Sequence, residues 1–250
     1  MIDYDFHMHT TFCDGKNTPE EMVLAAIEKG IKKIGFSGHS YVAFDEESGC
    51  MLPAREAEYR KEIARLKNAY ADAIEIYCGL ERDYYSDNTY TDYDYIIGSV
   101  HYVKCGDEYV SVDDNVERLK EGVEKCFGGD YYAYAEEYFK TVSDVVNKTK
   151  CDIIGHFDLI SKFNEREKLF DESDERYVKA WKKAADALIE TGKYFEINTG
   201  AISRGYKKVP YPSFEMIEYL KARGAEMILS SDSHSRETIQ YDFDKYEALL

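Results

Sequence analysis

Short apolar runs alternate with longer segments of helical periodicity along most of the chain. Seven of the runs are short and rich in branched and aromatic residues, which is typical of strands. They are Ile2–Phe6, Ile31–Phe36, Ile74–Cys78, Tyr95–Val100, Asp152–Gly155, Tyr194–Asn198 and Glu226–Leu229. Because helical segments separate nearly all of them, the pattern predicts a parallel sheet. At 250 residues this favours a closed barrel of the α/β class.

The segments between these strands carry apolar residues at intervals of three and four, as amphipathic helices do. They are Pro19–Lys29, Pro53–Ala71, Asp114–Phe127, Tyr131–Thr149, Asp174–Thr191 and Ser213–Arg223, with a terminal helix starting after Asp242. Thr18 followed by Glu21 predicts a capped start for the first helix, and Lys104–Val112 predicts an irregular hairpin turning at Gly106 and Asp107. No linker, repeat or low-complexity tract interrupts the series, so residues 1–250 are expected to form one domain.

The composition narrows the class of partner and the compartment. The chain has 32 Lys+Arg against 49 Asp+Glu, a formal net charge of −17. This acid excess argues against nucleic acid or an anionic membrane surface as partner, because both require basic faces.

No run of about 18 apolar residues is present, so no transmembrane helix is expected. The acidic N-terminus is unlike a signal peptide, and six cysteines scattered singly are typical of reduced thiols, so a cytoplasmic location is expected.

All six histidines fall at or just past the C-terminal end of a predicted strand. They are His7, His9, His39, His101, His156 and His234. Carboxylates occupy similar places: Asp14 after the first strand, Glu81 after the third and Asp232 after the last. In a barrel of this kind the C-terminal strand ends form the face that carries chemistry. A single histidine at a strand end is more often an ordinary hydrogen-bonding residue than a ligand, but six on one face indicate a metal cluster.

The spacing of these residues also suits metal binding. His7 with His9, and Asp232 with His234, are i, i+2 pairs, whose side chains point the same way from a strand. Neutral imidazoles and carboxylates are the ligands of Zn, Fe or Mn. The sequence therefore predicts a centre of divalent metal ions, whose element it leaves open.

Seven short motifs in this order resemble the PHP (polymerase and histidinol phosphatase) superfamily, and most closely its histidinol-phosphate phosphatase branch. They are His7-Met8-His9-Thr10, Phe12-Cys13-Asp14-Gly15, Ser37-Gly38-His39, Gly79-Leu80-Glu81, Gly98-Ser99-Val100-His101, Gly155-His156 and Ser231-Asp232-Ser233-His234. Each motif alone is weak, but the ordered set runs from residue 2 to about residue 236. The resemblance implies a distorted (β/α)7 TIM-like barrel in a single domain.

The resemblance further implies three metal ions held by nine residues. One ion would be bound by His7, His9, Glu81 and Asp232, a second by the bridging Glu81 with His101 and His156, and a third by Asp14, His39 and His234. Such a centre neutralises a phosphate dianion and lowers the pKa of a bound water, so that hydroxide attacks phosphorus directly. The implied reaction is hydrolysis of L-histidinol phosphate in histidine biosynthesis, with Glu81, Asp232 and His234 as the catalytic residues.

Two cations are candidates for binding the substrate phosphate. Arg204 lies just beyond the sixth predicted strand and offers a bidentate guanidinium, and Lys162 lies six residues past His156. For both, the alternative interpretation is a solvated surface cation. Asn198 and Glu196 share one face of the preceding strand, where either a positioning or a structural role is open.

Three other functions stay open on sequence grounds. A PHP-type phosphatase acting on phosphotyrosine or a nucleotide would use the same ligands, although the acid excess disfavours an exonuclease. Amidohydrolases share the His-x-His after the first strand, but commonly place a lysine where this chain has Glu81. The non-enzyme alternative is an inactivated barrel whose 23 tyrosines bind a partner. An inactivated barrel is expected to have lost metal ligands, and all nine are present in this sequence. The oligomeric state is not predicted.

Overall fold

A computed structural model describes residues 2–87 and 91–250. Seven parallel strands form one sheet in the order β1-β2-β3-β4-β7-β8-β9, and β5 pairs with β6 in an antiparallel hairpin. The strands are β1 Tyr4–Asp5, β2 Lys33–His39, β3 Glu75–Asp83, β4 Tyr95–Ser99, β5 Tyr102–Cys105, β6 Glu108–Ser111, β7 Ile153–Ile154, β8 Tyr194–Asn198 and β9 Met227–Ser230.

Helices follow most of the strands and pack around the sheet. In the described part of the chain they are α1 Pro19–Glu28, α2 Pro53–Ala69, α3 Val116–Phe127, α4 Tyr131–Val142, α5 Val145–Thr149, α6 Asn164–Glu167, α7 Glu175–Ile189, α8 Gly200–Ser203, α9 Phe214–Ala222 and α10 Phe243–Tyr246. The capping box of Thr18 and Glu21 at the start of α1 is present as predicted. None of the helices among the described residues combines the length and the apolar character that crossing a membrane would require.

The sheet curls until its first and last strands meet. Just past β1 and β9, the His9 amide donates to the Ser233 carbonyl (2.8 Å) and the Ser233 amide donates to the His7 carbonyl (3.0 Å). Closer to the strands, the buried Asp5 carboxylate accepts from the Ser231 amide (3.2 Å) and hydroxyl (2.5 Å). The Asp5 side chain therefore links the first strand to the end of the last one at the seam. The predicted parallel barrel is confirmed as a nearly closed one of seven strands.

A tyrosine fills the interior of the barrel below the histidines. The Tyr95 hydroxyl donates to the carbonyl of Phe6 (2.6 Å), the residue directly before His7. Glycine leaves room for its ring on the two neighbouring strands: a Cβ at Gly35 or Gly79 would lie 2.2 Å from a Tyr95 atom. The Tyr95 ring therefore lies between these strands below the C-terminal face, where side chains usually fill a barrel interior.

Two sequence predictions are wrong in detail. The third strand runs to Asp83, so Glu81 lies inside β3 and not after it; its register with β4 continues through Glu81, which the apolar run ending at Cys78 did not reveal. The predicted helix Tyr131–Thr149 breaks at Ser143 and Asp144. There the Ser143 hydroxyl donates to the Lys140 carbonyl and Asp144 accepts from Tyr84, so side chains compete with the helical backbone.

The predicted hairpin is confirmed and frames the mouth of the barrel. Tyr102–Cys105 pairs with Glu108–Ser111, and the turn places Gly106 at a φ of +61°. The hairpin packs on α3 and α4, within the larger of the two main apolar clusters. Tyr102 at its start and Ser111 at its end line the large pocket at the C-terminal face.

Candidate metal centre

The six histidines and three carboxylates singled out in the sequence converge on the C-terminal face of the barrel. His39 ends β2, Glu81 lies in β3, and the remaining members lie in the segments that follow β1, β4, β7 and β9. Parallel strands bring these ends together even though His7 and His234, the first and last of these residues, are 227 positions apart in the chain. The structure thus brings together all nine predicted ligands.

Glu81 lies at the centre of this cluster and is buried. Its Oε2 lies 2.8 Å from His39 Nδ1 and 3.3 Å from His7 Nε2. Its Oε1 lies 2.8 Å from His156 Nε2 and 3.3 Å from His101 Nε2. His9 Nε2 also lies 3.5 Å from Oε2, so this one carboxylate faces five imidazoles, three at Oε2 and two at Oε1. A carboxylate with imidazoles around both oxygens is suited to bridge two metal ions.

A second group lies towards solvent, around Asp14. The Asp14 carboxylate lies 3.1 Å from His234 Nε2 and 3.7 Å from both His39 Nε2 and His9 Nδ1. The His9 and His234 rings stack with their centroids 4.1 Å apart. These four side chains form the most exposed of the candidate sites, because Asp14 keeps a third of its side chain in contact with solvent.

Among residues 2–87 and 91–250, three sets of side chains have the geometry to hold an ion, with ligand atoms within 4.8 Å of one another. They are His7 with His9 and Asp232, His39 with Glu81 and His101, and His9 with Asp14, His39 and His234. The chemistry fits a divalent metal, because Nε2 of His7 and Nε2 of His9 are buried atoms without a hydrogen bond in the described structure. Buried polar atoms are rarely left so unless an ion or water satisfies them.

The electrostatics of the cluster agree with a metal centre. Burial, reinforced by the neighbouring His234 and His39, lowers the pKa of His9 to about 3, so this imidazole is neutral and offers a lone pair. Burial also acts to lower the pKa of His7, but the carboxylates around it, Glu196 foremost, outweigh burial and raise that pKa well above its usual value. Protons and metal ions compete for the same nitrogen atoms, so these carboxylates favour cations in general.

Sequence reasoning missed Asp83, which orients one of the histidines. Its carboxylate lies 3.1 Å from His101 Nδ1 and also accepts from the His101 backbone amide (3.0 Å), which leaves Nε2 facing Glu81. A histidine that binds a metal through one ring nitrogen usually donates a hydrogen bond from the other nitrogen to a carboxylate, as His101 can to Asp83. The signal was present in the sequence, because Asp83 follows Glu81 by two positions and so shares its strand face.

The two predicted phosphate-binding cations both lie at the pocket. Arg204 donates from Nη2 to the Asp232 carboxylate (3.0 Å) and from Nη1 to the Asp232 carbonyl (2.8 Å), next to His234. It thereby holds Asp232, which adopts a φ of +48°. Lys162 donates to the Asp113 carbonyl (2.6 Å) and lies 3.3 Å from the Asp113 carboxylate. Neither is a free surface cation.

A pocket of about 630 Å³ opens over the cluster. Its floor is formed by the metal-ligand candidates, and one wall by Arg204, Lys162 and Tyr206. The segment after β2 contributes the acidic residues Asp45, Glu46 and Glu47 to the rim of the pocket, and Arg118 of α3 also lines it. The pocket therefore offers two cations beside the candidate metal ligands and three acidic residues in the segment after β2.

A parallel barrel that gathers histidines and carboxylates at its C-terminal face defines the class of metal-dependent barrel hydrolases. A sequence model of the PHP domain matches residues 5–200, most of the chain. The chain therefore belongs to the PHP domain family, as its motifs indicated. Asp232 and His234 lie beyond the matched segment, on the final strand that closes the same barrel.

Relatives that cover nearly the whole chain agree with this assignment, and solved structures share the fold. A candidate histidinol-phosphatase of Schizosaccharomyces pombe is 28% identical over 265 residues, covering 98% of this chain and 84% of the relative. The structure of a candidate histidinol phosphatase, HisK, from Listeria monocytogenes matches with a TM-score of 0.84 at 20% identity over 97% of this chain and 99% of that one. HisK of Lactococcus lactis, solved with Zn, L-histidinol and phosphate, matches with a TM-score of 0.70 at 22% identity over 99% and 92%.

Proposed function

We propose that this protein is a metal-dependent phosphomonoesterase that hydrolyses L-histidinol phosphate to L-histidinol and phosphate in histidine biosynthesis. The observation that carries the proposal is the position of Glu81, whose two oxygens face five imidazoles at an open pocket. The full-length similarity to histidinol-phosphatases supports the substrate. Residues 1–250 form the catalytic domain in this proposal, and the six free cysteines support a cytoplasmic location.

The proposed centre holds three divalent ions. His7, His9, Glu81 and Asp232 would bind the first, Glu81, His101 and His156 the second, and Asp14, His39 and His234 the third. Zinc bound to the Lactococcus lactis protein supports zinc as one of the elements, with iron and manganese suited to the same ligands. When bound, such ions neutralise the phosphate and supply a water of lowered pKa.

The chain itself supplies the cations that would hold the phosphate. Arg204 is held by Asp232 and lies beside His234. Its guanidinium is therefore already in one conformation next to the predicted metal ligands, where it can contact a phosphate. Lys162 lies on the same wall, against the ring of Tyr206 at 4.9 Å. We propose that both contact the phosphate oxygens, Arg204 next to the ligands and Lys162 further out. Lys162 would exchange part of its contact with Asp113 for the substrate.

The acidic rim favours a phosphate ester with a cationic alcohol half. The alcohol half of L-histidinol phosphate carries an ammonium group and an imidazole. A nucleotide has no such cation in its alcohol half, and a phosphotyrosyl peptide does not generally place one there. Glu46 and Glu47 are exposed at the rim, and Asp45 is half-buried where Tyr102 donates to it (3.0 Å). These carboxylates attract a cation and repel a second anion at the pocket entrance.

Removing two rim charges is expected to weaken binding of L-histidinol phosphate selectively. The double variant Glu46→Gln/Glu47→Gln should raise KM for this substrate by about twofold to tenfold, because each partly exposed ion pair contributes little. KM for p-nitrophenyl phosphate, which has no cation, should stay unchanged. Steady-state phosphate release with both substrates measures the difference.

The matched control is Glu215→Gln/Glu218→Gln, which makes the same charge change on the exposed face of α9. It should leave both KM values unchanged. An equal rise for both substrates in the rim variant, or no rise for either, contradicts the proposed role of the rim.

A further inference from the structure

Glu196 is a fully buried carboxylate on β8, beneath the candidate metal ligands. Within the described residues it contacts no lysine or arginine. Its partners come from four places in the barrel: the ring of His7 after β1, the backbone of His156 after β7, Asn198 on its own strand, and Ser230 at the end of β9. Burying a carboxylate is costly unless hydrogen bonds satisfy it. The presence of one at this position therefore calls for a functional explanation.

Each oxygen of Glu196 receives two donors. Oε1 lies 2.5 Å from His7 Nδ1 and accepts from the Ser230 hydroxyl at 2.6 Å. Oε2 accepts from the His156 amide at 2.8 Å and from the Asn198 side-chain amide at 2.9 Å. Both oxygens of this carboxylate are thus hydrogen-bonded. Glu196 links the segments that carry His7 and His156, which are predicted ligands of two different metal ions.

The contact with His7 determines which ring nitrogen can bind a metal. A carboxylate only accepts hydrogen bonds, so Nδ1 of His7 must carry the proton when the ring is neutral. The lone pair then lies on Nε2, which is buried, makes no hydrogen bond in the described structure, and faces Glu81 and Asp232 at 3.3 and 3.7 Å. The bond to the His156 amide fixes the backbone from which the second histidine projects.

We propose that Glu196 is the positioning residue that sets the metal-binding tautomer of His7 and fixes the His156 backbone, and so couples two of the proposed metal sites. The proposal rests on the metal centre of the proposed function and is independent of the substrate. Unlike Asp83, which contacts a single histidine, Glu196 acts on two histidines from opposite sides of the barrel seam.

Glutamine at this position cannot reproduce the four contacts. If its NH₂ group faces His156, this donor points at two other donors, the His156 amide and the Asn198 side-chain amide, and both hydrogen bonds are lost. If the NH₂ group faces His7, it donates to Nδ1 and forces the proton onto Nε2, where no metal can then bind. Glu196→Gln should therefore raise the free zinc concentration that half-fills one site by about tenfold to a hundredfold, the cost typical of such outer carboxylates.

The test is zinc retained per chain, measured by elemental analysis after dialysis against a graded series of zinc–chelator buffers. Wild type and the matched variant Ser230→Ala, which removes a donor from the same Glu196 oxygen but leaves the His7 contact, should retain zinc alike. Glu196→Gln with wild-type zinc retention overturns the proposal. Failure of the wild type to bind zinc overturns both this proposal and the metal centre, whereas failure to hydrolyse L-histidinol phosphate affects only the proposed substrate.

A second measurement covers the case in which Glu196→Gln does not fold. Two-bond ¹H–¹⁵N spectra of the zinc-loaded wild type, labelled on histidine, report which nitrogen of each ring is protonated. The proposal predicts that His7 carries its proton on Nδ1 and zinc on Nε2. Zinc on Nδ1 of His7 overturns it.

Discussion

Glu81→Gln is expected to lower metal retention and phosphatase activity together. The carboxylate is buried, and both oxygens face imidazoles from four different segments of the barrel. A glutamine side chain has one acceptor oxygen, and its NH₂ group would point a donor at two of those rings. Loss of a charged central ligand should lower kcat by about 10²-fold to 10³-fold, comparable with removal of a main stabilising group from an active site.

Metal analysis and phosphate release on the same samples measure this outcome. Glu75→Gln is the matched control, because Glu75 begins the same strand at its exposed end, where its carboxylate accepts from the Tyr77 hydroxyl (2.9 Å). The control should keep full metal content and activity. Full metal content with unchanged turnover in Glu81→Gln would show that Glu81 does not bridge the centre.

Arg204→Met is expected to cause the second largest loss, through substrate binding. The guanidinium lies beside Asp232 and His234 and is the cation nearest the predicted ligands among the described pocket residues. Removing it should lower kcat/KM by about 10²-fold, since a bidentate charge-assisted contact with phosphate is lost. Most of the loss should be a rise in KM, and Arg204→Lys should recover only part, because an ammonium lacks the planar fork.

Zinc content separates this role from a purely structural one. Arg204 also holds the Asp232 carbonyl and carboxylate, so a structural role would show as lost zinc with KM unchanged. The expected result is retained zinc with raised KM. Arg223→Met, which removes an exposed arginine paired with Asp186 on the outer surface, should change neither quantity.

The barrel was predictable from sequence because each strand is an apolar run bounded by helical periodicity. Its ligands were predictable because parallel strands place their C-terminal ends on one face, so histidines far apart in the chain had to meet there. The limits of the strands were less predictable. Glu81 and Asp83 continue β3 beyond its apolar run, because their side chains face the cluster at the mouth and not an apolar core.

The residues that orient the ligands were harder to find. Glu196 carries no motif, and its role depends on contacts with His7 and Ser230, which are 189 and 34 positions away. The grouping of ligands was also beyond the sequence. His39 lies 2.8 Å from Glu81 as well as near Asp14, so it faces two of the candidate sites, a proximity that only the curvature of the closed barrel produces.

The most direct test of the proposed function is phosphate release by the metal-replete protein from three substrates at equal concentration. L-Histidinol phosphate, a phosphotyrosyl peptide and a nucleotide monophosphate should be compared, before and after stripping with a chelator and after restoring zinc, iron or manganese. We predict that L-histidinol phosphate is hydrolysed with the highest kcat/KM, that stripping abolishes this activity and that metal restores it. Hydrolysis without preference for L-histidinol phosphate, or activity that survives stripping, would contradict the proposed function.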